Sequence, residues 1–140
     1  MTDGGVAVFF YGLFMDAGIL GSKGVEPSDV RRASLDGYTL NIGERASLSA
    51  QRKSRVHGVV MTLAERDLDT LYSEKGLGDY RPETVTAQLD DGSSISALCY
   101  NLPHVPVGEP NPEYVEKLRQ LARQLQLPSE YVDRFGRGST

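Results

Sequence analysis

Val6-Ala7-Val8-Phe9-Phe10-Tyr11 is an unbroken β-prone apolar run that stops at Gly12. A half-exposed strand would alternate polar with apolar residues, so a run without alternation predicts a strand buried on both faces. The rest of the chain must supply a layer against each face of that strand. At 140 residues, with 39% hydrophobic and 24% charged residues, it is long enough for one ordinary core.

After Gly12, Leu13 to Leu20 reads as a short helical stretch, with Gly21 and Gly24 as stops. Val30 to Ile42 reads as extended pieces broken at Asp36-Gly37. Glu44 to Arg55 is polar, carries Arg45, Arg52, Lys53 and Arg55, and reads as a loop or hairpin. Val56 to Met61 returns to strand character. Thr62-Leu63-Ala64-Glu65 matches a capping box, and Leu68, Leu71 and Tyr72 form an apolar stripe on the helix it would start. Gly76 is placed to end that helix, which puts Glu74 in its last turn.

Pro82 biases Arg81 toward extended geometry. Thr84–Leu89 and Ser93–Tyr100 flank Asp90-Asp91-Gly92, a hairpin signal. Asn101 to Pro112 reads as a surface loop that ends in a helix start, Asn111 as N-cap and Pro112 at the first helical position. Tyr114, Leu118, Leu121 and Leu125 would be that helix's buried stripe, and Pro128-Ser129-Glu130 starts a last short helix to about Phe135. The order predicts an α+β fold, a small mixed sheet curling toward a β-barrel with short helices packed around it. Residues 1–135 are expected to form a single domain, and 136–140 a flexible tail.

Composition narrows the function classes. A net charge of −4 disfavours a general nucleic-acid binder. One cysteine, Cys99, excludes an internal disulfide and a multi-cysteine metal site; it reads as a small core residue. His57 and His104 alone cannot build the usual zinc cage. His57, alternating with valines, reads as a structural histidine. No apolar run reaches the ~18 residues that cross a bilayer, and Met1 to Phe10 has no basic leader, so the expected location is cytoplasmic. No nucleic-acid or membrane partner is expected, and the chain is compatible with a monomer or a homodimer.

Two places could carry chemistry. Phe10-Tyr11-Gly12-Leu13-Phe14 is a strand ending at glycine before a helix, a geometry that can gather backbone N–H groups around a carboxylate or an oxyanion. The plainer reading is a turn in which Gly12 supplies an unusual backbone angle. Glu74 is the second. A carboxylate in a last helical turn faces the negative end of the helix dipole, which raises its pKa toward the range of a general base; the plainer reading is a solvated acid beside Lys75.

Taken together, these segments resemble the gamma-glutamylcyclotransferase-like family over about Val8 to Phe135. The family opens with a strand into a Tyr-Gly-Ser turn, here Tyr11-Gly12-Leu13-Phe14, with leucine replacing the serine. It continues with a strand like Val56-His57-Gly58-Val59-Val60, then a short helix with a catalytic glutamate near its end and a tyrosine a few residues on, matched by Glu74 and Tyr80. Pro112 to Tyr131 looks like the C-terminal helices of the cyclotransferase branch.

The resemblance implies conversion of a γ-glutamyl amine or peptide to 5-oxoproline and the free amine, without metal or cofactor. Glu74 would be the general acid/base. Tyr11, Gly12, Leu13, Phe14, Tyr80 and Tyr100 would line the substrate site, and Arg45 would contact a carboxylate of the leaving group. The partner is then a small molecule bearing a γ-glutamyl group. The alternatives are a non-catalytic small-molecule binding protein on the same fold, a tailoring cyclotransferase of a specialised metabolite, or a different enzyme on a related domain of the allophanate-hydrolase type.

Overall fold

The computed structural model describes residues 5–43, 46–72, 80–102, 111–133 and 135. Strand β1 (Val6–Phe10) runs into a 3-10 turn (Leu13–Met15) and helix α1 (Ala17–Ser22). Two long strands follow, β2 (Ser28–Ile42) and β3 (Ala46–Leu63), then α2 (Glu65–Tyr72), the hairpin β4 (Arg81–Leu89) and β5 (Ser94–Asn101), and helices α3 (Pro112–Gln124) and α4 (Ser129–Val132).

The strands close into a barrel in the order β1-β3-β2-β4-β5. Closure is parallel, Val8 opposite Leu98 of β5, while the other pairings are antiparallel. This is the α+β architecture with a mixed, curled sheet that the sequence predicts. As the apolar run requires, β1 is covered on both sides. Phe9 and Tyr11 pack inward with Ala33, Leu35, Val56, Val60, Val85, Ala87 and Cys99, a cluster to which all five sheet segments contribute. Val8 and Phe10 pack outward with Met61, Leu71, Leu118 and Val132, beneath the helices.

Two local expectations are corrected and a third is narrowed. The capping box at Thr62 is not formed. Thr62 lies in β3 opposite both Ala7 and Ser28, and α2 begins at Glu65, with the Asp67 and Leu68 amides donating to the Ala64 carbonyl. Two strand neighbours outcompete one side-chain cap. Of the two readings of the polar stretch, loop or hairpin, the structure takes the hairpin after residue 45, because Ile42 to Tyr38 pair residue by residue with Ala46 to Ala50. Its basic residues fall at an irregularity where Gly37 alone faces Gln51 to Ser54, and Arg52 and Lys53 point to solvent. The buried face of α3 is Val115, Leu118, Leu121 and Ala122, with Tyr114 and Leu125 at its edges. Gly76 and Asn101's following loop at 103–110 lie outside the described residues.

The hairpin turn at Asp90-Asp91-Gly92 is as read, with Gly92 at φ +91°. So is the start of α3. The Asn111 side chain accepts from the Glu113 amide at 3.1 Å, and Pro112 occupies the first turn. The Asn111 amide also donates to the Gly43 carbonyl at 2.9 Å, which pins the helix to the β2–β3 hairpin. Asn111→Ala is expected to lose about 1 kcal/mol of stability in urea unfolding, and Asn111→Ser to recover most of it. An unchanged midpoint for Asn111→Ala would show that the backbone tie alone sets the helix start.

Candidate active site

Where β1 leaves the barrel, its end meets α1, the start of β3, the end of α2, the start of β4, the end of β5 and the first turn of α3. Their side chains enclose a cavity of about 210 Å³. It brings together Tyr11, Gly12, Leu13, Phe14, Tyr80 and Tyr100, six positions singled out from sequence. Glu74 and Arg45 lie outside the described residues. Lys23, Ala46, Tyr72 and Tyr114 also line the cavity, and sequence reasoning missed them. Tyr72 and Tyr114 looked like helix-stripe residues, and the only available signal was tyrosine standing where leucine would fill a core.

The first turn is built from backbone and glycine. The Met15 and Asp16 amides donate to the Gly12 and Leu13 carbonyls and close the 3-10 turn. Gly12 itself is extended, at φ −115°, so an unusual backbone angle is not why glycine stands there. A Cβ at this position would come within 2.6 Å of the Tyr114 hydroxyl. Glycine therefore lets α3 deliver that phenol onto the turn. The Asp16 side chain then accepts from the Gly18 amide at 2.8 Å and starts α1.

Two of the phenols around the cavity are held in place by the main chain. Tyr11 donates to the Tyr100 carbonyl at 2.8 Å, and Tyr80 donates to the Ala46 carbonyl at 2.5 Å. Asn101 closes the arrangement. Its Oδ1 accepts from the Leu48 amide at 2.8 Å and its Nδ2 donates to the Leu48 carbonyl at 2.9 Å, so a side chain continues the sheet between β5 and β3. The rings of Tyr72 and Tyr100 stack at 4.0 Å and 8°, and Phe14 meets Tyr72 edge-on at 5.8 Å.

Burial, with smaller contributions from neighbouring ionisable groups, raises the Tyr11 and Tyr72 phenols well above their ordinary range; burial followed by Asp69 and Glu65 raises Tyr100. These three are neutral near pH 7 and act as fixed dipoles and apolar walls, not as bases. The described lining residues include no carboxylate and no histidine. Among the described residues no group of three or more His, Cys, Asp or Glu is gathered as for a metal ion.

The other sequence candidates lie elsewhere. Arg55 pairs with Asp36 at 2.6 Å on the exposed barrel surface. His57 sits edge-on to Tyr131 with ring centroids 5.0 Å apart, and burial, then Arg55, lowers its pKa. Cys99 is fully buried in the barrel, where burial pushes its thiol up to about 12. Its reaction with a disulfide reagent at pH 8 is expected to be roughly a thousandfold slower in the native protein than in urea. Equal rates in the two states would show that the barrel opens readily at β5.

No helix among the described residues is long and apolar enough to cross a membrane. No curated protein matches the chain. Among solved structures, gamma-glutamyl cyclotransferase superposes with a TM-score of 0.82 at 20% identity, over 97% of this chain and 89% of that one. An uncharacterized protein from Homo sapiens gives 0.80 at 18% identity, over 98% and 89%. An AIG2-like protein from Mus musculus gives 0.59 at 15%, over 81% and 84%. At these identities the likeness is one of fold. The model of the AIG2-like family matches residues 55–135, more than half of the 140-residue chain. With a barrel that has the fold of gamma-glutamyl cyclotransferase and a family match across its C-terminal half, the chain belongs to the AIG2-like family.

Proposed function

We propose that the protein is a γ-glutamyl cyclotransferase with Glu74 as its general acid/base. The observation that carries this reading is where the chain is anchored on either side of Glu74. Tyr72 and Tyr80, the described residues that bracket it, both line the cavity, with ring centroids 6.0 Å apart. The described walls offer phenols and one lysine, and Glu74 is the carboxylate that the family resemblance assigns to this reaction.

In the proposed reaction the substrate's own α-amino nitrogen attacks its γ-carbonyl carbon. The bond between that carbonyl carbon and the leaving nitrogen breaks, and 5-oxoproline and the amine depart with no water consumed. Glu74 takes a proton from the α-ammonium and returns it to the leaving nitrogen. The Gly12–Phe14 turn binds the α-carboxylate or the developing oxyanion through its N–H groups. Ring closure is intramolecular, so a cavity that holds the folded conformer supplies much of the rate. Anchoring Tyr11 and Tyr80 to backbone carbonyls gives such a cavity rigid walls.

The test is 5-oxoproline release, read by mass spectrometry, from a panel of γ-glutamyl amines and γ-glutamyl amino acids. Release with stoichiometric free amine is expected. A folded protein that releases none from any compound would overturn the reading.

A further inference from the structure

A second cleft lies on the outer face of the barrel and shares no lining residue with the tyrosine cavity. Its volume is about 400 Å³, and its walls come from β2, β3, β4 and the connection between α3 and α4. Strand register sets its floor. Ser34 of β2 lies opposite His57 of β3 on one side and Gln88 of β4 on the other, so three polar side chains stand abreast across three strands. Arg32 and Asp36, two residues to either side of Ser34, project on the same face. Two ion pairs therefore flank the row, Arg32 Nε with Asp90 at 3.0 Å and Arg55 Nε with Asp36 at 2.6 Å.

Both pairs are made through Nε. A guanidinium carries five N–H donors, so a contact at Nε orients the group and leaves terminal N–H groups for a second partner. Those terminal groups form the fork that takes a planar carboxylate with two parallel hydrogen bonds. Exposed ion pairs by themselves add little to stability. The end of α3 points the same way. The Leu127 amide donates to the Ala122 carbonyl at 3.0 Å, a helix stop whose left-handed residue is ordinarily glycine. Here that residue is Gln126, at φ +61°, and it lines the cleft while its carbonyl accepts from Arg32 Nη1 at 3.3 Å. A side chain held where the backbone favours glycine is a mark of a working surface.

Charge narrows the ligand. The two arginines and two aspartates cancel, and burial, then Arg55, lowers the pKa of His57, which is neutral near pH 7. A dianion meets no surplus of positive charge. A single carboxylate meets the arginine forks, while Ser34, His57 and Gln88 can each both donate and accept, which suits an amide or a hydroxyl beside it.

We propose that this cleft is a second binding site, for a small monocarboxylate that carries an amide or a hydroxyl next to its acid group. Arg32 and Arg55 take the carboxylate, and the row of His57, Ser34 and Gln88 reads the neutral polar group. The site stands independently of the cyclotransferase reading.

The probes are N-acetylglycine, which has both groups, propionate, which lacks the amide, N-acetylglycinamide, which lacks the carboxylate, and inorganic phosphate. Occupancy is read by NMR from the His57 ring protons, assigned with His57→Gln. A saturable shift with N-acetylglycine is expected, with propionate and N-acetylglycinamide each about tenfold weaker and phosphate weaker than N-acetylglycine. Arg55→Lys keeps the charge and removes the fork, and should weaken N-acetylglycine about tenfold at an unchanged thermal midpoint. The comparison among probes is made on the wild type and needs no variant to fold. No saturable shift at His57, propionate as tight as N-acetylglycine, or phosphate tighter than either overturns the inference. So does N-acetylglycine affinity that is unchanged in both Arg55→Lys and Arg32→Lys.

Discussion

Glu74→Gln is expected to cut 5-oxoproline release by about a thousandfold or more while leaving the thermal midpoint within a degree or two of wild type. Positioned proton transfer contributes ~10²–10⁴ in rate, and ring closure needs it twice, from the α-ammonium and to the leaving amine. Glutamine keeps the volume and a hydrogen-bonding oxygen but cannot carry the proton. The cavity has no evident substitute, since its phenols at Tyr11, Tyr72 and Tyr100 are held neutral by burial and its described walls include no carboxylate. Substrate affinity should change little, so the loss falls on kcat. A variant that retains wild-type kcat would remove Glu74 from the mechanism. A variant that loses kcat together with its thermal midpoint would make Glu74 a structural residue instead.

Gly58→Ala is the largest expected effect on stability. Gly58 lies in β3 opposite Ala33, and its bare Cα faces the back of β1. An added Cβ would stand within 2.2 Å of the Phe10 carbonyl oxygen, 3.2 Å of the Phe10 carbonyl carbon and 3.1 Å of the Phe9 ring. A flexible side chain could swing away, but a backbone oxygen cannot. Phe9 and Phe10 are registered against Val60 and Val59, and relief of the clash would pull β1 off that ladder. Overpacking of a tight core costs roughly 1–3 kcal/mol, and a clash with main chain belongs at or above the upper end. A loss of about 3 kcal/mol should lower the thermal midpoint by roughly 10 °C. The same shift displaces the strand end that leads to Gly12, so activity below the midpoint should fall as well. A midpoint within 2 °C of wild type would mean the two strands have room to separate.

The two predictions mark two different kinds of legibility. Glu74 was visible in the sequence as a carboxylate a few residues before a tyrosine, in a pattern that resembles a known family. Gly58 was visible only as one letter of a strand. Its requirement comes from a contact between residues 48 positions apart in the chain, which no local pattern encodes. Gly12 shows the same division. Sequence placed it correctly in the turn between strand and helix, but its reason is the Tyr114 hydroxyl arriving from α3, not its own backbone angle.

The strand-prone run at Val6 to Tyr11, the Asp-Gly turn and the Asn111-Pro112 helix start were decided by the sequence itself, because each rests on the intrinsic geometry or hydrogen bonding of adjacent residues. The α+β class followed from their order. Tertiary structure decided the rest. It turned the polar residues 46–55 into strand by pairing them with β2, and it kept Thr62 in the sheet by giving it neighbours on both sides. It also assembled five tyrosines, distant from one another in the chain, around one cavity. The physical reason is that strand pairing and side-chain convergence take their free energy from residues distant in the chain, while caps and turns take theirs from neighbours, and where the two compete the longer-range pairing wins.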